Sequence, residues 1–262
     1  MIKSLYTGAS GMIAQQMNID AISNNLSNVN TTGYKKAGME FQDLIYQNMK
    51  PAGVKTGAES ITPTELSIGS GVKPVATSRN FSQGNIITTQ NPLDLCIAGE
   101  GFLKITQGEG KTMYSRDGHL KVSAEGTLVT SDGYLVEPQI TLPQDTESVL
   151  ISELGVVSVI ISGESMPVEI GQLELAKFVN PGGLKANGQN LFEATAASGE
   201  AVSGTPGSTG FGRTLQGAIE GSNVDLVAEM VSMITAQRAY DLNSKTIRSA
   251  DDMLNTALQI KR

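Results

Sequence analysis

A short glycine-containing loop is the first part of this sequence that could do chemistry. Residues 108–112 read Gly-Glu-Gly-Lys-Thr, and the last three match the end of a phosphate-binding loop, where backbone N–H groups and a lysine hold phosphate oxygens. The complete motif needs a further glycine at the position that Ile105 occupies here. We therefore interpret the stretch as an ordinary turn and predict no nucleotide site.

The other reactive side chains lack the neighbours that catalysis or metal binding requires. His119 is the only histidine, so a metal would find neither a second imidazole nor a cysteine cluster, and we expect this ring to hydrogen-bond in a turn or at a strand start. Cys96 is the only cysteine and lies in the apolar run 93–98, which predicts a buried, unreactive thiol. The sequence also lacks a Gly-x-Ser-x-Gly nucleophile elbow. We predict no catalytic, cofactor-binding or metal-binding residues.

The C-terminal end of the chain is the most regular element that could position anything. Residues 222–262 contain neither Gly nor Pro, although the chain has 29 glycines and nine prolines, and this predicts one long helix. Ser222 followed by Asp225 has the form of a capping box, and Lys261 and Arg262 place positive charge at the C-terminal end of the helix dipole. At about 1.5 Å per residue the helix would run roughly 60 Å, so we expect it to project or to bundle.

Apolar residues recur every seven positions at both ends of the chain, which is the spacing of a coiled-coil seam. The N-terminal stretch has almost no charge besides Asp20 and carries Gly8 and Gly11, so we expect it to order only when packed against other helices. The alternative is that the C-terminal helix packs on the core of a single domain. The predicted assembly interface comprises Leu5, Met12, Ile19, Ile22, Leu26 and Val29, together with Leu226, Met233, Tyr240, Ile247 and Leu254, with Ala236, Ala250 and Ala257 beside the last set.

The middle of the chain predicts strands and turns. Three dipeptides, Asp117-Gly118, Glu125-Gly126 and Asp132-Gly133, separate short alternating runs and predict tight hairpins. The predicted fold is therefore α+β, with N- and C-terminal helices forming a coiled-coil-like domain, an extended connector and an inserted, mainly-β domain. The predicted domain boundaries are 1–32 with 219–262 for the helical domain, 33–80 for the connector with short strands, and 81–218 for the β-rich outer domain.

Composition excludes several classes of partner. The chain has 262 residues and 39% hydrophobic residues, enough for one core with appendages, and its net charge of −7 argues against nucleic acid. The apolar run at 156–161 is too short to span a bilayer, and no apolar run of signal-peptide length follows Lys3. We therefore predict neither membrane insertion nor a cleaved leader.

Two stretches near the ends resemble a known family. Residues 24–35, Asn-Asn-Leu-Ser-Asn-Val-Asn-Thr-Thr-Gly-Tyr-Lys, closely resemble the N-terminal signature of the bacterial flagellar rod and hook axial proteins, and residues 222–245 resemble the matching C-terminal signature. The resemblance extends over essentially the whole chain, with Ser27 and Cys96 as small departures from the usual residues. The signature residues are Asn25, Leu26, Asn28, Gly33, Tyr34, Ser222, Asn223, Gln237, Arg238 and Tyr240.

The resemblance implies a structural role without enzymatic activity. The chain length and the stretch 46–71 are most similar to the distal-rod branch, since hook members usually lack this insertion. The implied function is a homopolymer that forms the hollow, periplasm-spanning drive shaft of the basal body, transmits motor torque to the hook and is exported by the flagellar type III pathway. The implied partners are adjoining proximal rod and hook subunits, surrounding ring proteins and the export apparatus. The alternatives are a proximal rod or hook subunit and a secreted β-domain enzyme or binding module.

Overall fold

Two terminal helices and a middle made of strands build the chain. A computed structural model describes residues 2–53, 63–108, 110–163 and 166–260, so Lys261 and Arg262 lie outside the described residues. Helix α1 spans Ile2–Ser27 and helix α2 spans Leu226–Ile260. This arrangement confirms the α+β class predicted from the sequence. Contacts divide the chain into two compact units: unit 1 comprises 1–26, 37–78 and 225–262, and unit 2 comprises 27–36 and 79–224.

Unit 1 contains both helices and two small antiparallel sheets. Strand β1 (Ala37–Asp43) pairs with β4 (Val72–Arg79), and β2 (Gln47–Lys50) pairs with β3 (Leu66–Ile68). Most of their side chains are exposed. Part of the stretch 46–71, residues 54–62, lies outside the described residues. The sequence-based domain boundaries stay a prediction, because contacts group residues 37–78 with the helices and residues 27–36 with the β-rich part.

The start of α2 differs from the prediction. The capping box at Ser222 is wrong, because the helix begins at Leu226 and its cap is Asp225. The Asp225 carboxylate accepts hydrogen bonds from the backbone N–H groups of Val227 at 2.9 Å and Ala228 at 3.2 Å. These are two of the N–H groups that the first helical turn leaves unpaired. The helix has 35 residues, which corresponds to roughly 52 Å.

Unit 2 is built from strands, with one 3-10 turn at Pro181–Gly183. The strands span Ile86–Thr88 (β5), Leu95–Ala98 (β6), Phe102–Gln107 (β7), Lys111–Ser115 (β8), Leu120–Val122 (β9), Leu128–Thr130 (β10), Leu135–Glu137 (β11), Thr146–Ile151 (β12), Val156–Ile161 (β13), Val168–Gln172 (β14), Leu175–Lys177 (β15), Lys185–Gly188 (β16), Leu191–Glu193 (β17), Val202–Gly204 (β18), Arg213–Gln216 (β19) and Ala218–Glu220 (β20). The largest sheet has the strand order β16-β17-β8-β7-β11-β10-β9, with β15 also pairing with β7 and β18. The strands β12, β13 and β14 form a separate antiparallel sheet, while β19 pairs with β6 and β20 with β5.

Two of the three predicted hairpins are confirmed. Gly126 joins β9 to β10 and Gly133 joins β10 to β11, both with the positive φ that favours glycine. The hairpin predicted at Asp117-Gly118 is wrong, because β8 pairs with β7 and β17 whereas β9 pairs with β10. Gly118 instead lies against another strand, since its carbonyl accepts a 2.9 Å hydrogen bond from the N–H of Leu95. A Cβ there would lie 1.5 Å from the Leu95 carbonyl oxygen, which leaves room only for glycine.

The core of unit 2 has an aliphatic and an aromatic part. Aliphatic side chains of the large sheet and of β12–β14 pack together, including the fully buried Val157, Leu173 and Leu175. Beside β7 and β8, aromatic rings pack edge to face, with centroids 4.7 Å apart for Tyr114 and Phe178. The predicted burial of Cys96 is confirmed, with 1% of the residue exposed.

Candidate assembly site

Within unit 1, the two helices contact each other at three places with one consistent antiparallel register. The numbers of the contacting residues rise along α1 as they fall along α2, which is the order expected of an antiparallel pair. A Cβ at Gly8 would lie 3.0 Å from Cγ1 of Ile247, and one at Gly11 would lie 2.8 Å from Nδ2 of Asn243. At the other end of α1 the Asn25 Nδ2 donates to Glu229 Oε2 at 3.3 Å. The glycines therefore allow a close approach of the helix backbones.

The burial of α2 follows the heptad. Glu229, Ala236 and Ala250 are buried. Met233 and Ile247, which lie between them in the sequence, are half-buried. Leu226 and Tyr240, which the sequence places in the same seam, are 46% and 37% exposed. In α1, Ile22 is buried, whereas Leu5, Met12, Ile19 and Leu26 are half-buried, and Val29 lies in the turn after the helix. Ala257 is exposed and Leu254 half-buried.

The opposite side of α2 is also apolar near its start. Val227, Met230, Val231 and Ile234 follow the spacing of one helix face, and each is about half exposed or more, with Val227 at 68%. Further along, Arg238 is exposed on the same face. These side chains form one exposed apolar stripe, and exposed apolar patches are the kind of surface that proteins use to contact one another.

Exposed apolar side chains also occur in the stretch predicted as the connector. Ile45 is 86% exposed, and Met49 and Leu66 of the β2–β3 sheet are 64% and 56% exposed. A two-stranded sheet is only marginally stable alone, so further packing would stabilise this one.

The N-terminal signature continues past α1 into unit 2, where residues 31–36 are hydrogen-bonded to other residues of that unit. The N–H of Gly33 donates to the Glu220 carbonyl at 2.8 Å, and the Thr32 carbonyl accepts a 3.0 Å bond from the Asn190 side chain. Gly33 has a φ of 66°, and a Cβ there would lie 2.8 Å from the backbone of Arg116. The segment can therefore sit this deep only with glycine at position 33.

The C-terminal signature supplies the other side of this junction. The Asn223 side chain accepts a 2.8 Å hydrogen bond from the N–H of Lys36 and donates to the carbonyl of Asn80 at 2.8 Å. The N–H of Asn223 also donates to the Tyr34 carbonyl at 3.4 Å. Gln237 and Arg238, which belong to the same signature, lie exposed on α2 in unit 1, and Ser222 is half-buried.

A buried cluster of charges lies beside this junction. Lys35 is completely buried, and its Nζ is 2.6 Å from Glu220 Oε1, while the Arg116 Nη1 is 3.2 Å from Glu220 Oε2. Glu220 Oε1 also accepts a 2.9 Å hydrogen bond from the N–H of Gly84. The Lys35 Nζ donates further to the Ser82 carbonyl at 2.8 Å. One carboxylate thus binds two cations that are distant in the sequence.

Burial controls the protonation of this cluster. Desolvation lowers the pKa of Lys35 from its usual 10.5, and the nearby Glu220 offsets only part of that effect. Desolvation likewise lowers the pKa of Arg116. Cys96 lies close enough to feel all three charges, and burial raises its pKa to about 11, which keeps the thiol protonated and unreactive near neutral pH.

The glycine-containing loop and the histidine considered for chemistry have the following surroundings. Gly108 and Gly110 lie in the turn between β7 and β8, and Glu109 lies outside the described residues. His119 Nδ1 is 3.1 Å from an Asp117 carboxylate oxygen, as expected for a hydrogen-bonded ring. Across the described ranges, His, Cys, Asp and Glu form no group of three or more that could hold a metal ion. Neither described helix is long and apolar enough to cross a membrane.

The residues of the charge cluster were missed by the sequence analysis. Lys35 falls inside the N-terminal signature but carried no predicted role, and Arg116 and Glu220 lie outside both signatures. The available signal was weak, since a single Lys, Arg or Glu is usually exposed. Only the position of Lys35 directly after Gly33 and Tyr34 could have drawn attention to it.

Three family models match the chain: flagella basal body rod protein at residues 5–35, flagellar hook protein FlgE/F/G D1 domain at 96–159, and flagellar basal body rod FlgEFG protein C-terminal at 215–260.

Whole-length relatives agree with these models. The flagellar basal-body rod protein FlgG of Borreliella burgdorferi is 49% identical over 264 aligned residues that cover 100% of both chains. FlgG of Caulobacter vibrioides is 47% identical, over 99% of this chain and 100% of its own, and FlgG of Bacillus subtilis is 37% identical over 100% of both. The resemblance seen in the two signatures is thereby confirmed, and the chain belongs to the FlgG family of flagellar basal-body rod proteins.

Proposed function

We propose that this chain is a structural subunit of the flagellar distal rod, which polymerises into a hollow helical shaft and transmits motor torque to the hook. The observation that carries the proposal is the apolar surface on both sides of α2. One side faces α1, and the other exposes Val227, Met230, Val231 and Ile234. A subunit that is built to polymerise needs such a second surface for its neighbours.

The exposed face is large enough to matter energetically. Full burial of one such side chain contributes about 1.5–3 kcal/mol. Four of them would therefore offset much of the entropy that a subunit loses on joining a polymer. Every subunit carries the same face, so each added subunit can bind the next. The assembly grows as a helix when the rotation between neighbouring subunits does not close into a ring.

We further propose that α1 and α2 pair as an antiparallel coiled coil in the polymer. The three contacts with one register and the heptad burial of α2 support this arrangement. The uncharged character of α1 supports helix formation that depends on packing. The predicted seam residues would then form the interior of the inner tube, and unit 2 would form the outer layer.

The connector and the location complete the proposal. The exposed apolar residues at 45–49 and 66–68 would lie on neighbouring subunits and stiffen the shaft. The adjoining proximal rod and hook subunits, the surrounding ring proteins and the flagellar type III export apparatus are the proposed partners, and the rod would cross the periplasm. Membership of a rod family and the absence from the sequence of any convergent catalytic group support this structural role.

The experiment compares two aspartate substitutions on α2. Val231→Asp places a charge on the exposed apolar face, whereas Thr246→Asp places the same charge at an exposed, polar position about four turns further along the helix. We expect the Val231→Asp chain to be made and exported but to form no rods in electron micrographs of basal bodies, with loss of motility in soft agar. Thr246→Asp should assemble normally.

Two results would contradict the proposal. Normal rods with Val231→Asp would show that this face is not a subunit contact. If labelled subunits were found only in the hook or only at the base of the rod, the chain would be a hook subunit or a proximal rod subunit instead of a distal rod subunit.

A further inference from the structure

The chain passes through unit 2 in two pieces, and both ends of that unit are tied together. The first piece is the short segment 27–36, and the second is 79–224. Residues 33–36 lie against the end of the second piece through alternate contacts. Glu220 holds Gly33 and Lys35, and Asn223 holds Tyr34 and Lys36.

Segment 31–36 buries one apolar side chain, Tyr34, which is 8% exposed and belongs to none of the three buried apolar clusters of unit 2. All described members of those clusters come from residues 81–211. Besides Tyr34, the segment is held by hydrogen bonds and by one buried ion pair, between residues 185 positions apart in the chain. The core could therefore stay folded while the segment leaves.

The charges decide how tightly the segment is held. Lys35 is fully buried, and Glu220 is 1% exposed. If Glu220 loses its charge, Lys35 stays buried without a counter-charge, and this is far more costly than the pair itself is stabilising. Withdrawal of the segment into water relieves that cost for Lys35.

We propose that Lys35 and Glu220 form an electrostatic latch that closes segment 31–36 on a β core which folds without it. The latch joins residue 36, where the chain first leaves unit 2, to the region of Glu220, just before the chain leaves unit 2 for the last time. A mechanical force applied to the chain at either of these two points is then shared by both. The latch is a property of the single chain and does not depend on the polymer.

Hydrogen exchange of the purified full-length chain tests the latch directly. The reporter amides are Gly33 and Lys36 in the segment, and Val157 and Val159 in β13 report on the core. In Glu220→Gln we expect protection at the segment amides to fall about a hundredfold or more, because two buried cations lose their carboxylate. Protection in β13 should change much less.

Two further variants make the test decisive. Lys35→Met keeps the Arg116–Glu220 pair and should lower protection at the segment about tenfold with β13 unchanged, so it carries the test if Glu220→Gln fails to fold. The matched control is Glu153→Gln, which removes a carboxylate from an exposed pair with Arg213 at 3.1 Å. It should change protection at the segment less than about fivefold.

The outcomes separate cleanly. Local loss of protection in the segment for Lys35→Met, with or without folded Glu220→Gln, supports the latch. An equal fall in the segment and in β13 would overturn it, because the cluster would then stabilise the whole unit. Protection at the segment as high as in Glu153→Gln would overturn it as well.

Discussion

Replacing a hairpin glycine by alanine should have different costs at two turns that look alike in the sequence. Gly126 and Gly133 end the dipeptides Glu-Gly and Asp-Gly in consecutive hairpins, with φ values of 80° and 86°. An alanine Cβ at Gly133 would meet nothing within 4 Å, whereas one at Gly126 would lie 2.5 Å from the carbonyl oxygen of Leu142. Leu142 is fixed there, because its N–H donates to the Gly126 carbonyl at 2.7 Å and its side chain is part of the core.

The magnitudes follow from these two distances. A left-handed conformation costs alanine about 1–2 kcal/mol relative to glycine, and this is the whole expected loss for Gly133→Ala. At Gly126 the overlap with backbone adds about 1–3 kcal/mol, as for overpacking in a core. We therefore expect Gly126→Ala to lose about 2–5 kcal/mol of unfolding free energy in all.

Urea unfolding of the purified chain, followed by the far-ultraviolet signal of the strands, measures the difference. The two variants should share one slope with urea concentration, since both unfold the same unit. Equal midpoints for Gly126→Ala and Gly133→Ala would contradict this expectation, because the backbone at Leu142, which lies between β11 and β12, would then move aside at no cost.

Three further outcomes are expected. Asp225→Ala should lower the stability of the start of α2 by about 1 kcal/mol, measured by exchange of the first helical amides, whereas Asp252→Ala on the exposed helix surface should not change it. Cys96 should resist alkylation at pH 8 in the folded chain and react once urea exposes it, since its pKa is raised to about 11 and it is buried; rapid labelling without urea would contradict this. Burial lowers the pKa of Lys35 below 10.5, so the unfolded chain binds that proton more tightly than the folded chain does. The free energy of unfolding of the wild type should therefore increase, relative to that of Lys35→Met, as the pH rises from the lowered pKa to 10.5. A flat difference in urea midpoints across that range would disprove the shift.

The candidate site was only partly accessible to sequence reasoning. The heptads predicted a seam on one side of α2, because the 3.6-residue helical repeat converts spacing along the chain into a face. Ala236 and Ala250 on that side are buried, whereas Leu226 and Tyr240 are 46% and 37% exposed, so the seam stays a prediction. The same local information could not separate Ser222 from Asp225 as the cap. Both residue types can cap a helix. The hydrogen bonds from the N–H groups of Val227 and Ala228 to Asp225 depend on the path of the chain after the preceding strand β20.

Features that depend on neighbouring residues could be predicted from the sequence. These are the two terminal helices, the hairpins at Gly126 and Gly133, and the family to which the chain belongs. Features that depend on partners far along the chain became visible only in the folded chain. Asp117-Gly118 has the composition of a hairpin but crosses to a different strand, and Lys35 meets Glu220 across 185 positions. Packing determines these pairings, because a buried charge is tolerated only where the fold places a counter-charge next to it. The spacing of residues within a short stretch of sequence does not indicate such a distant partner.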